Sequence, residues 1–288
     1  MSPSIDCLAP HSPRRREVAL LLAVVLMVCL ALTGPDLPQP TSFHNFADQR
    51  AWGSMPHAMD VLSNLPFAAW GVAGLWALAR AVRLRAIGSV SAGLAALFFA
   101  GLVVTAGISA YYHWQPDNAG LVWDRGGMLL AFAGLLGLAA VQSVSQRAGI
   151  ALAAAVLTLG PVSVQVWAVS GNLLPWGVLQ MGGMALILAL AWLQPALPAP
   201  GLQIRWTLVI ALYALAKVLE LADHAVFNLT GQLVSGHSLK HVVASLAAWP
   251  VVVAVLRAGR LSRAPGTIRT EFASPAPSVA VAQLSSKQ

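Results

Sequence analysis

Eight stretches of roughly 20 mostly apolar residues recur along this 288-residue chain, and no other feature narrows its fold as much. A run of about that length crosses the hydrocarbon core of a bilayer as a helix. The stretches occupy about 17–34, 59–80, 88–113, 121–143, 149–170, 174–194, 205–228 and 237–257. Lipid offers no partner to a backbone N–H or C=O, and these runs lack the strict alternation of barrel strands. Each therefore reads as a transmembrane helix. With 58% apolar and 9% charged residues, a soluble fold could not cover the apolar surface. The expected architecture is all-α, a polytopic membrane helix bundle. Five parts follow: an N-terminal tail at 1–16, a first helix at 17–34, an outer loop at 35–58, a seven-span core at 59–257 and a disordered tail at 258–288. Pro66, Pro161 and Pro250 fall inside spans and predict local kinks. Gly127, Gly134, Gly182 and Gly183 predict close helix packing, because no strand or phosphate-loop lysine accompanies them.

The net charge of +7 would suggest nucleic acid in a soluble protein, but here the basic residues sit at the span ends. Orientation in the membrane accounts for them, so no nucleic-acid partner is expected. Arg14, Arg15 and Arg16 precede the first span, Arg80, Arg83 and Arg85 follow the second, and Arg147 follows the fourth. Arg205 follows the sixth and Arg257, Arg260 and Arg263 the eighth, so all these connections share one side. The positive-inside tendency makes that side the cytoplasm, with both termini on it, as in a bacterial inner membrane. The loops at 35–58, 114–120, 171–173 and 229–236 then face outward, and Arg50 is their one basic residue. The first run, with its arginine-rich start, also fits a signal peptide, but it lacks an A-x-A cleavage site after Leu30, which favours an uncleaved helix. Cys7 and Cys29 suggest neither a disulfide nor a thiolate metal site.

Sorting acidic and histidine residues by this topology points to a polar outer chamber. Asp36, Asp48, Asp60, Asp117, Asp124, Glu220 and Asp223 all fall in outer loops or outer helix ends, as do His44, His57, His113, His224, His237 and His241. Ionisable groups at membrane depth are costly, and by default they line a functional cavity. Ser109 and His113 lie four apart, as do His237 and His241, so each pair shares one helical face. Two helices can thus aim at one point, with Asp124 arriving from the next span. Three neutral imidazoles with an open fourth position form the arrangement of a catalytic zinc, which lowers the pKa of a coordinated water to about 7. The competing reading is two histidines hydrogen-bonded to neighbouring helices. Lys217, Glu220 and His224 share a face of the seventh span with Asp223 beside it. They read either as an internal salt bridge fixing helix packing, or as outer partners of metal-bound imidazoles or a grip on a lipid headgroup. Arg125 is expected to pair with an acidic neighbour, and Lys240 to snorkel outward. His44, Asp48 and Arg50 belong to a first outer loop that is either a lid or an ordinary solvated loop. Trp52, Trp114, Trp123 and Trp176 fit an aromatic belt.

The segments "SAYYH" at 109–113, "WDRGGM" at 123–128 and "SGHSLKH" at 235–241 together resemble the alkaline ceramidase family and the membrane hydrolase superfamily around it. That superfamily also includes adiponectin/progestin-type receptors. "DVLSNLPF" at 60–67, with its Ser63–Asn64 pair, looks like the family's opening-helix motif. The resemblance covers about 56–257 and leaves the first span as an addition. It implies zinc held by His113, His237 and His241, Asp124 as acid and base, and Ser109 holding geometry or the oxyanion. The implied reaction is hydrolysis of the amide of a membrane lipid, ceramide being the family's substrate. A receptor-like member, or one cleaving lipid esters, carries the same residues. The acidic calcium cluster of eukaryotic ceramidases is reduced here to Asp48 and Asp60, so calcium is not expected. Oligomeric state is left open by the sequence.

Overall fold

The computed structural model describes residues 13–192 and 202–262, and within them the chain is helical apart from its connections. Helix α1 spans Pro13–Thr33, α2 Ala58–Leu62, α3 Leu65–Arg83, α4 Ser89–Trp114, α5 Asn118–Ser143 and α6 Gln146–Ser170. A composite span follows, formed by α7 (Leu174–Gly177), a π-helical turn (Val178–Gly182) and α8 (Gly183–Trp192). Two broken spans close the chain: α9 (Trp206–Leu221) with α10 (Asp223–Leu229), and α11 (Gly236–Leu246) with α12 (Trp249–Leu261). Among the described residues, seven helical segments are long and apolar enough to cross a membrane. The expected span at 205–228 is not one of them: its helix is broken at Ala222 and carries Lys217, Glu220 and Asp223 close together.

Several expected boundaries shift. Helix starts at Pro13, inside the expected tail, and α12 runs four residues beyond the expected end at 257, to Leu261. The terminal segments 1–12 and 263–288 lie outside the described residues, and with them most of the expected disordered tail. Pro66 and Pro250 do not kink helices: each stands in the first turn of a new one, where a missing N–H removes no intrahelical bond. Pro161 is inside α6 as expected.

Consecutive helices pack side by side from α3 to α6, α8 joins α5 to α9, α9 packs on α11, and α12 returns to α3. The core spans therefore form a closed ring, and α1 lies outside it against α7 and the π-helical turn. Small residues permit close contact between α4 and α5: a Cβ on Gly134 of α5 would fall 2.4 Å from the backbone nitrogen of Phe98 in α4, and one on Gly101 of α4 2.3 Å from that of Ala131 in α5. The two ends of the bundle differ in chemistry. At one, Arg16 donates to the Ser143 carbonyl, Ser145 donates to Glu17, and Ser262 donates to the Leu84 carbonyl. At the other, the 34–57 connection folds over the helix ends. His44 bonds the Tyr112 hydroxyl and Asn118, Arg50 bonds Asp48 and the Leu233 carbonyl, and Asn172 ties Asp36 and Leu37 to the turn after α6.

Candidate metal centre

Helix α11 begins where it does because two side chains collect N–H donors that a helix start leaves without intrahelical partners. Ser235 caps it, accepting from the Ser238 N–H at 2.9 Å, and Asp223 accepts from the His237 N–H at 2.8 Å. Asp60 from α2 accepts from the Ser238 hydroxyl at 2.7 Å and the Ser235 hydroxyl at 3.4 Å. Two carboxylates at this end also suit the helix dipole. Gly236 allows the approach, since a Cβ there would stand 2.3 Å from the Leu219 carbonyl oxygen. His237 and His241 are thereby fixed on the inner face, one turn apart.

His113 reaches the same point from the last turn of α4. All three imidazoles are buried, 1%, 5% and 5% exposed for His113, His237 and His241, and each offers a ring nitrogen within 4.8 Å of the others. Their ring centroids form a nearly equilateral triangle with sides of 4.7, 5.0 and 4.9 Å. The closest nitrogens, His113 Nε2 and His237 Nε2, stand 3.2 Å apart. Burial of polar atoms normally ends in a donor–acceptor pairing, whereas three inward-turned imidazoles cannot all pair with one another, and His113 Nδ1 is buried without a hydrogen-bond partner. Such a group could hold a metal ion. Outside the triangle, His241 Nδ1 lies 2.8 Å from the Ser63 hydroxyl, which itself donates to the Asp60 carbonyl. With its one proton spent there, Ser63 accepts from His241 Nδ1–H, and His241 Nε2 keeps its lone pair.

Beside the triangle is a cavity of about 80 Å³ lined by Ser109, Asp124, Lys217, Glu220, Lys240 and His241. Ser109 hydrogen-bonds the Asp124 carboxylate. Lys217 and Lys240 both donate to Glu220, Lys240 at 2.6 Å. The expected salt bridge on α9 is therefore present, but Lys240 does not snorkel outward: it turns inward to Glu220. An apolar cavity of about 40 Å³ adjoins, sharing Gln180 and Tyr213, which hydrogen-bond each other at 2.8 Å.

The remaining expected residues have other work. Arg125 is 3% exposed and meets no carboxylate through a hydrogen bond; it donates to Gln39 at 2.7 Å and stacks over Trp167 at 3.9 Å. It also lies 5.6 Å from the Trp176 ring, which is buried rather than part of an interfacial belt. Asn64 donates to the Asp60 carbonyl and touches no histidine through a hydrogen bond, while Asp223 joins the His237 N–H to the Ala47 N–H. His224 leaves the Lys217–Glu220 pair and bonds the Asn45 carbonyl. Sequence reasoning missed Phe46, whose ring lies 4.9 Å from His113 and 4.3 Å from His237 and roofs the group. It named Asp60 and Ser63 but gave neither a part in holding the histidines. In the roofing connection, burial alone would raise the Asp48 carboxyl, but the hydrogen bonds and charge of Arg50 outweigh it and hold it below its ordinary value.

Fold and site together define a helical bundle of membrane type with a buried three-histidine group at its polar end. No protein-family model matches the chain, and no curated protein matches it.

Proposed function

We propose that this protein is a zinc-dependent integral membrane amidohydrolase that cleaves the N-acyl amide of ceramide-like lipids to a fatty acid and a sphingoid base. The observation that carries the reading is the convergence of His113, His237 and His241, from helices distant in sequence, beside a cavity holding Asp124 and Ser109. Two nitrogens bound to one tetrahedral zinc at 2.0–2.1 Å stand about 3.3 Å apart, close to the 3.2 Å between His113 and His237. Three protein ligands leave a fourth position free, and a zinc ion there would supply Lewis acidity to polarise the scissile carbonyl and acidify water.

The chain's own residues supply the rest. Asp124 accepts the proton of the attacking water and returns it to the departing nitrogen, while Ser109 holds the carboxylate in place. Phe46 keeps bulk water off the imidazoles. The apolar cavity behind Gln180 and Tyr213 suits the start of an acyl chain, whose remainder stays among the helices or in lipid. The positive-inside tendency puts the site on the outer, periplasmic side of an inner membrane.

The test is fatty-acid release from an N-acylsphingosine by purified protein, with and without chelator, alongside metal analysis and a matched ester. Asp124→Asn is expected to lower kcat by about 10²–10⁴-fold with zinc retained. Retention of both zinc and hydrolysis after His237→Ala overturns the reading, and faster cleavage of the ester moves it to an esterase.

A further inference from the structure

The cavity beside the histidines has two ammonium groups on a single carboxylate, and cleavage of a neutral amide does not use them. Lys217 on α9 and Lys240 on α11 both donate to the single carboxylate of Glu220. These side chains are 28%, 18% and 23% exposed for Lys217, Lys240 and Glu220, and all three line the cavity with Asp124 and His241. An ion pair that only fastened α9 to α11 would need one lysine. The other carboxylate on this wall, Asp124, is hydrogen-bonded by Ser109, and the lysines direct their hydrogen bonds to Glu220.

We infer that Lys217, Glu220 and Lys240 form a subsite for an anionic group next to the scissile amide, so that the substrate is an acylated amino acid or a lipid of that kind. The inference rests on the amide-hydrolase reading and puts an amino acid in place of the sphingoid base in its substrate. Each ammonium carries three donors and Glu220 takes one from each, which leaves both lysines able to donate to the two oxygens of a second carboxylate. A carboxylate on the carbon attached to the amide nitrogen is three bonds from the acyl carbon, compact enough for a cavity of about 80 Å³. In the reaction the oxygen of water bonds to the acyl carbon, the C–N bond breaks and the nitrogen takes up a proton. A freed sphingoid base would be a lone cation facing two ammoniums. A freed amino acid keeps its carboxylate on them.

The experiment compares N-palmitoylglycine with N-palmitoylethanolamine, of equal chain length and neutral head, on the full chain in detergent. Cleavage is measured with the zinc-loaded protein, and binding with Asp124→Asn. The acylglycine is expected to bind about tenfold more tightly, the scale of one charge-assisted hydrogen bond, and to have the larger kcat/KM. Lys217→Met is expected to bring the binding ratio towards one, and Glu220→Gln, which frees both ammoniums, to raise it. A purely structural ion pair predicts a loss of stability from both variants and no change in the ratio. Equal or tighter binding of the ethanolamide, or a ratio that Glu220→Gln leaves unmoved, overturns the inference. If neither amide is cleaved but the binding preference persists, the anion subsite stands and the hydrolase reading falls; if the ethanolamide is cleaved faster, the reading stands and the subsite falls.

Discussion

At the scale of the residue, a metal-holding imidazole is oriented by what its outer nitrogen meets. For His241 that partner is the Ser63 hydroxyl, itself held by the Asp60 carbonyl on the same short helix. The chain of bonds runs from the α2 backbone to a ring nitrogen that faces the other two histidines, so Ser63 governs both the tautomer and the angle of the ring. Outer partners of this kind are typically worth 10–100-fold in metal affinity. Ser63→Ala is therefore expected to weaken zinc retention by about that factor while leaving helix content unchanged, as read by chelator competition and circular dichroism. Zinc affinity unaltered in the variant would remove Ser63 from the metal centre. The three histidines and Asp124 were legible before the fold was known because their spacing encodes helical faces. The roles of Ser63 and Phe46 were not: a hydroxyl and a phenyl ring are common, and their partners come from segments 178 and 67 residues away.

At the scale of the element, α4 and α5 are the pair on which the site depends, since one carries Ser109 and His113 and the other Asp124. Their separation is fixed by Gly134, over which the backbone of Leu94 and Phe98 passes at distances no side chain permits. Backbone atoms cannot rotate aside, so Gly134→Ala forces the helices apart, with a cost of about 1–3 kcal/mol. Gly126, eight residues earlier on α5, has nothing within 4 Å of a built Cβ. There the same change only removes glycine's entropy, and a gain of about 0.5–1 kcal/mol is expected. Thermal unfolding in detergent should thus move in opposite directions for the two variants; equal shifts would refute the packing argument. Apolar run length revealed the spans but not the breaks within them. Hydropathy does not register that Pro66 and Pro250 restart helices, or that α9 gives way at Ala222 beside Asp223, whose carboxylate caps α11 and holds the Ala47 N–H.

At the scale of the whole molecule, one end of the bundle gathers most of the arginines and the other the described histidines and most of the carboxylates. The 34–57 connection closes over the latter end through Gln39 on Arg125, His44 on Tyr112, Ala47 on Asp223 and Arg50 on the Leu233 carbonyl. The sequence left this connection as either lid or solvated loop, and the fold makes it a cover. Its length alone could not decide that, because its anchors lie on α4, α5, α10 and the connection before α11. With the eight crossings the sequence predicts, the arginine-rich connections and both termini would share a compartment. Retention of lysine and arginine on the cytoplasmic side sets which one it is. With Cys7 and Cys29 replaced by serine, single cysteines at Ser54 or Asn228 should react with a membrane-impermeant maleimide in intact spheroplasts. Those at Gly88 or Gln146 should react only after permeabilisation. The reverse pattern would put the histidine group on the cytoplasmic side and require its lipid to come from the inner leaflet. Labelling of both pairs in intact cells would mean that the spans do not alternate and that the ring of helices is not the membrane-embedded form of this chain.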